Sequence, residues 1–157
     1  MWQTHVTVAA IIEKNQQFVL VTDVTSQGLK LNQPAGHVEP EEDFIQAIIR
    51  EVKEESSLQF TPEKIVGIYW YRPNPENNYL RICFKGRLKD EQAEPMPSNS
   101  DDGVVAAHWY PLEEITQRRH EHRSLLVMKC INDYLSGQEY PLEILANFRD
   151  SAPVYLD

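Results

Sequence analysis

Glu51, Glu54 and Glu55 are the residues of this chain best placed to do chemistry. They fall within one helical turn of the run Arg50-Glu51-Val52-Lys53-Glu54-Glu55. A helix sets these carboxylates on adjoining faces, close enough to share a hard cation. As mere surface decoration they are badly placed. Phe44, Ile45, Ile48, Ile49 and Val52 recur at helical spacing, so the segment from about Glu41 to Ser56 reads as an amphipathic helix. Glu41, Glu42 and Asp43 then suit its positive end, but the three later glutamates crowd its negative end. Each such charge costs about 0.3–1 kcal/mol, and the like pair Glu51 and Glu55 adds a few tenths. Only Arg50 and Lys53 offset this. A solvated acidic face would leave the conflict standing, whereas a bound cation would remove it.

The surrounding elements must hold that helix. Thr4 to Ile12 alternates as a strand, with Val6, Val8 and Ala10 on one face and Thr7, Ala9 and Ile11 on the other. A turn at Glu13 to Gln16 leads to a second strand, Gln17 to Thr22, forming a hairpin. Leu29 to Pro34 is short and extended, and Ala35 to Pro40 is a loop into the helix. Lys64 to Arg72 and Tyr79 to Leu88 are partner strands, joined by a turn rich in Pro and Asn. The polar stretch Lys89 to Gly103 is expected to be a mobile surface loop, before a strand from Val104 to Tyr110. Pro111 opens a short helical turn, and a second amphipathic helix runs from about Ser124 to Leu135. The tail from Tyr140 carries Leu142, Ile144, Leu145 and Phe148 and is expected to pack back on the body. Strands outnumber helices in mixed order, so the class is α+β, or a layered α/β/α sandwich.

Bulk properties narrow the function. A chain of 157 residues, 41% hydrophobic, suits one domain over 1–157 with a single core. No stretch approaches the ~20 apolar residues of a membrane span. The N-terminus lacks the basic-then-apolar form of a signal peptide, and Cys83 and Cys130 lie far apart in apolar segments, as buried free thiols do. A cytoplasmic location is expected. A net charge of −9 argues against a broad basic surface for a nucleic-acid polymer. A small anionic substrate would need metal ions or a local basic pocket.

From Gly36 the chain reads Gly36, five residues, Glu42, seven residues, Arg50-Glu51-Val52, one residue, Glu54-Glu55, then Ser56-Ser57-Leu58. This 23-residue pattern resembles the Nudix box, the signature of hydrolases acting on nucleoside diphosphates linked to another group. One position departs: the family has glycine where this chain has Ser57. A glycine there would close the helix in the left-handed conformation, which costs Ser about 1–2 kcal/mol. Otherwise the exit loop differs.

The resemblance implies a Nudix fold, an α/β/α sandwich with a mixed sheet. It also implies Mg²⁺, or Mn²⁺, held by oxygen ligands that neutralise phosphate and activate a water for in-line attack on phosphorus. Glu51 and Glu55 would be ligands, Glu54 a direct or water-mediated one, and the Ala35 carbonyl another. Arg50 would hold a carboxylate in place, and Glu42 would orient or join the outer shell. Asp101 and Asp102 stand where the family often adds a general base from a loop. They are otherwise solvated loop acids, and Glu51 is the other candidate base.

Further candidates remain open. Arg123, in a basic run beginning at Arg118, could hold a phosphate at a helix N-terminus. Trp70, with Tyr71 and Arg72, could stack a ring or pack in the sheet. Together with Gly36, His37 in the box loop is placed to touch phosphates or to serve structure. Arg81 points either into the cleft or to water.

Stretches beyond the box, such as Asn32-Gln33-Pro34, Leu80-Arg81 and Tyr134 to Glu143, resemble a phosphatase subgroup of the family. That likeness implies stepwise release of inorganic phosphate from nucleoside tri- and diphosphates, and action on thiamine-pathway diphosphates such as hydroxymethylpyrimidine diphosphate. Two alternatives stand beside it. One is another Nudix pyrophosphohydrolase, for ADP-ribose, dinucleoside polyphosphates or oxidised nucleotides. The other is a non-catalytic nucleotide-binding domain. Monomers and homodimers are both compatible with the sequence.

Overall fold

The computed structural model describes residues 2–98 and 103–150. Asp101 and Asp102 lie outside them.

Strand β1 (Gln3–Ile11) is buried on both faces, and its alternation builds two cores. Val8 and Ala10 pack with Ala47, Ile48 and Val52 of helix α1 (Phe44–Ser56). Ala9 and Ile11 pack with Val127, Cys130 and Ile131 of helix α3 (Leu126–Leu135). One strand thus sits between two helical layers, the arrangement expected of an α/β/α sandwich.

The first sheet places β5 (Ala35–His37), β1, β7 (Asn77–Leu88), β6 (Phe60–Asn74) and β9 (Tyr140–Pro141) in that order. In this sheet β1 and β7 run parallel, from Gln3 beside Asn77 to Ile11 beside Lys85, and its other pairs among the described residues are antiparallel. In the second sheet β3 (Gln17–Thr25) is central, with β8 (Val104–Pro111) on one side. Strands β2 (Glu13–Lys14) and β4 (Gly28–Asn32) share the other. A short helix α2 (Leu112–Gln117) follows β8.

Several expectations need correction. Helix α1 begins at Phe44, not Glu41: Glu41 turns left-handed (φ 72°) after Pro40, and Asp43 is the N-cap. Asp43 Oδ1 accepts from the Gln46 N–H at 2.7 Å and Gln46 Oε1 from the Asp43 N–H at 2.9 Å, a reciprocal cap. Ala35 to His37 is an edge strand rather than loop. Pro111 caps α2 instead of opening it, and α3 starts two residues after Ser124.

Residues 89–98 are not a free loop. Met96 N–H donates to the Ser56 carbonyl at 2.9 Å, and Ser98 donates to the Glu54 carbonyl through its N–H and its hydroxyl. The strap satisfies carbonyls that the end of α1 leaves unpaired. In the tail, Leu142 and Leu145 pack on the core, but Ile144 and Phe148 are exposed. Both cysteines are buried and free, as their apolar surroundings predict.

Candidate active site

Helix α1 turns Ala47, Ile48 and Val52 inward, and Glu51 and Glu55, four apart, follow the edge of that buried stripe. Each is only 4% exposed. Glu55 Oε1 accepts from the Ala35 N–H at 2.8 Å, which ties the end of α1 to β5. Next on β5 comes Gly36, whose missing side chain leaves room for the Glu51 carboxylate: a β-carbon there would overlap it. Beyond the helix, Ser57 adopts the left-handed conformation (φ 64°) that the family glycine would take. Its hydroxyl donates to the Met96 carbonyl at 2.7 Å, offsetting part of the strain.

Arg50 gathers the acids. Its Nε and Nη2 grip Glu42 at 2.5 and 2.9 Å. Nη1 reaches Glu51 at 2.8 Å and Glu54 at 3.2 Å, and Nη2 donates to the His37 carbonyl at 3.0 Å. Glu39 lies 3.6 Å away. The guanidinium is therefore held firmly protonated, chiefly by Glu42, and holds the Glu42 carboxyl below its usual range. Leaving the helix frees Glu42 for this contact: its N–H donates to the Glu39 carbonyl while its carboxylate faces Arg50.

These residues form one side of a cleft of about 480 Å³. The other side comes from β4, β7 and the approach to α3. Arg81 is buried there, its Nη1 donating to Gln33 Oε1 at 3.0 Å and its Nη2 to Asn32 Oδ1 at 3.2 Å. Arg123 pairs with the buried Asp23 at 2.7 Å. It precedes α3 by three residues, so the helix terminus does not supply its site. At the rim Tyr71 and Tyr79 are cross-strand partners, and His5 stacks on Tyr79 at 4.6 Å. His37 lies 3.1 Å from His5, and burial, with His5 and Arg123 nearby, lowers its pKa.

Of the residues read from the sequence, Ala35, Gly36, His37, Arg50, Glu51, Glu55, Arg81 and Arg123 line this cleft. Glu42 and Glu54 join it through Arg50. Trp70 does not: it lines a separate depression with Trp2 and Arg72, because its neighbour Tyr71 takes the cleft face of β6. In the sequence Asn32 and Gln33 stand out only within the stretch that resembles a phosphatase subgroup, with no role attached, and Asp23 and Tyr79 carry no signal.

Oxygen-only donors, two of them buried carboxylates, fit Mg²⁺ or Mn²⁺. Among the described residues no three His, Cys, Asp or Glu side chains stand together as a ready-made cage. Arg50 fills the space between Glu42, Glu51 and Glu54. Such an ion commonly takes one or two carboxylates and completes its shell with water and substrate phosphate, which Glu51 and Glu55 can support.

A mixed sheet between helices, with α1 and β5 holding acids over a glycine, defines a Nudix hydrolase. The NUDIX domain model matches residues 3–128, and the chain belongs to this family. It is 34% identical over 149 residues to the phosphatase NudJ of Escherichia coli K12, covering 94% of each chain. Among solved structures, a NUDIX hydrolase from Nitrosomonas europaea aligns with a TM-score of 0.84 at 39% identity, over 96% of this chain and 100% of that one. The NUDIX domain of Shewanella oneidensis NrtR, complexed with ADP ribose, aligns with a TM-score of 0.72 at 13% identity, over 87% of this chain and 90% of that one. That likeness concerns the fold alone. Hydrolases of this family generally use divalent metal ions. No described helix is long and apolar enough to cross a membrane.

Proposed function

We propose that this protein is a Mg²⁺-dependent phosphohydrolase that releases inorganic phosphate from nucleoside tri- and diphosphates, and from small aromatic diphosphates such as hydroxymethylpyrimidine diphosphate. The observation that carries this reading is the identity to a phosphatase along nearly the whole of both chains. The cleft agrees with it chemically. One side is acidic, the other carries Arg81 and Arg123, and the rim offers the rings of Tyr71 and Tyr79 to a base.

Glu51 and Glu55 would hold the metal, with the Ala35 carbonyl as a further oxygen donor. When bound, the ion neutralises phosphate oxygens and lowers the pKa of a water. Arg50 keeps the Glu51 carboxylate aimed at the reacting centre, and Gly36 keeps room for it. Glu51 takes the proton of the attacking water as the water oxygen bonds to the terminal phosphorus. The bridging P–O bond breaks and its electrons leave with the nucleoside diphosphate. Tyr71 and Tyr79 hold the base away from the acids.

The test is product analysis with Mg²⁺ on GTP, GDP, ADP-ribose and hydroxymethylpyrimidine diphosphate. Inorganic phosphate from GTP and GDP, with GDP appearing before GMP, is the expected result. Pyrophosphate from GTP, or AMP from ADP-ribose as the preferred reaction, contradicts the assignment.

A further inference from the structure

The arginines of the cleft differ in what neutralises them. Arg50 faces Glu39, Glu42, Glu51 and Glu54, and Arg123 faces Asp23. Arg81 is only 6% exposed, yet among the described residues its hydrogen-bond partners are the neutral amides of Gln33 and Asn32 and the sulfur of Cys130, at 4.0 Å. A hydrogen bond with Cys83, and then the charge of Arg81, draws the Cys130 thiol below its usual range against the effect of its burial. Burying a guanidinium is costly, and neutral amides satisfy its hydrogen bonds without neutralising its charge.

The amides also fix where the guanidinium points. Gln33 is 1% exposed, and its Nε2 donates to the Val127 carbonyl of α3 at 2.8 Å while its Oε1 accepts from Arg81. Asn32, at the end of β4, takes the other terminal nitrogen. Arg81 is thus pinned from β4 and α3 at once, and a guanidinium has more N–H donors than these contacts use. It lines the same cleft as Glu51 and Glu55. Its depth suits a group that ends a chain better than one linked on both sides.

From this we infer that Arg81 is the subsite for the terminal phosphate of the substrate, with Asn32 and Gln33 as the positioning residues that aim it. A terminal phosphate brings close to two negative charges and three acceptor oxygens, which a pre-aimed fork matches. The inference rests on the phosphate-releasing reading above, and it names the group that selects the terminal phosphorus.

The experiment titrates inorganic phosphate into the EDTA-treated full chain by calorimetry. Parent, Asn32→Asp, Gln33→Met and Arg81→Lys are compared. Asn32→Asp keeps the shape but sets a carboxylate against Arg81, so an internal counter-ion replaces the phosphate. Phosphate affinity is expected to fall about ten- to a hundredfold in Asn32→Asp, the range of one charge-assisted contact, with no loss of thermal midpoint. Gln33→Met keeps the volume without the hydrogen bonds. It should weaken phosphate and raise KM for GTP more than it lowers kcat. Arg81→Lys keeps the charge without the fork and should also bind phosphate more weakly. Affinities within twofold of the parent in all three variants, or no phosphate binding by the parent, overturn the inference. Failure of the phosphatase reading shows separately, as pyrophosphate released from GTP by the parent.

Discussion

Gly36 and Glu51 share one volume: the space that a β-carbon on Gly36 would take is filled by the Glu51 carboxylate. The backbone at Gly36 is ordinary strand, so close approach, not left-handed conformation, requires the glycine. Gly36→Ala should push the carboxylate off its position beside Arg50. A displacement on the order of 1 Å commonly costs about a hundredfold in rate. kcat should fall by about that factor while the circular dichroism spectrum stays native. An activity within threefold of the parent would show that Glu51 does not need this position.

Glu51→Gln removes the charge but keeps the shape. Turnover should drop by orders of magnitude with the fold preserved, and a loss under tenfold would remove Glu51 from the role given to it. Glu55→Gln can still accept the Ala35 N–H, so its effect should fall on metal affinity. Unchanged Mg²⁺ titration curves would contradict that.

Ser57 separates strain from bonding. Ser57→Ala keeps the left-handed backbone and loses the hydroxyl bond to Met96, so about 1 kcal/mol of stability should go. Ser57→Gly loses the same bond but relieves about 1–2 kcal/mol of strain. Chemical denaturation should rank glycine above alanine by about 1 kcal/mol. The reverse order would mean that the strap over α1 does not depend on this turn.

Acid should destabilise the protein over two pH windows. His122 is partly buried, its Nε2–H donating to the Ile115 carbonyl at 2.9 Å, and burial lowers its pKa from the ordinary 6.5. A depressed folded pKa means that the neutral form stabilises the fold. This contribution is complete above about 6.5 and is lost as pH falls through the folded value. His37 acts in the same direction. Glu42 follows lower down: its pKa is depressed from 4.5 chiefly by Arg50, so that stabilisation is complete above about 4.5 and lost below it. His122→Gln should flatten the loss in the upper window, read from urea unfolding curves between pH 7 and 5. An unchanged slope would assign that loss elsewhere.

Much of this was legible in the chain because it depends on periodicity. The pattern of Val6, Val8 and Ala10 against Thr7, Ala9 and Ile11 foretold a strand, though not that both its faces are buried, and the stripe through Ile48 and Val52 foretold the helix that carries the acids. The fixed spacing from Gly36 to Glu55 foretold the acidic wall. What stayed hidden depends on contacts distant in sequence. Alternation says that Trp70 and Tyr71 face opposite ways, but only the pairing of Tyr71 with Tyr79 beside His5 decides which faces the cleft. Arg81 could not be oriented without knowing that Gln33 and α3 lie over it. The helix start is hidden because Glu41 and Glu42 suit a helix terminus, whereas the left-handed turn at Glu41 sends Glu42 back to Arg50. The strap at Met96 and Ser98 looked mobile because its polar composition hides bonds made to the end of α1.

In the proposed reaction water attacks the terminal phosphorus of a nucleoside triphosphate. Hydrolysis of GTP in ¹⁸O-labelled water, with Mg²⁺ and with products analysed by mass spectrometry, tests it most directly. One solvent oxygen is expected in inorganic phosphate and none in GDP. Label in GMP or pyrophosphate, or in GDP rather than in the phosphate released with it, would contradict it.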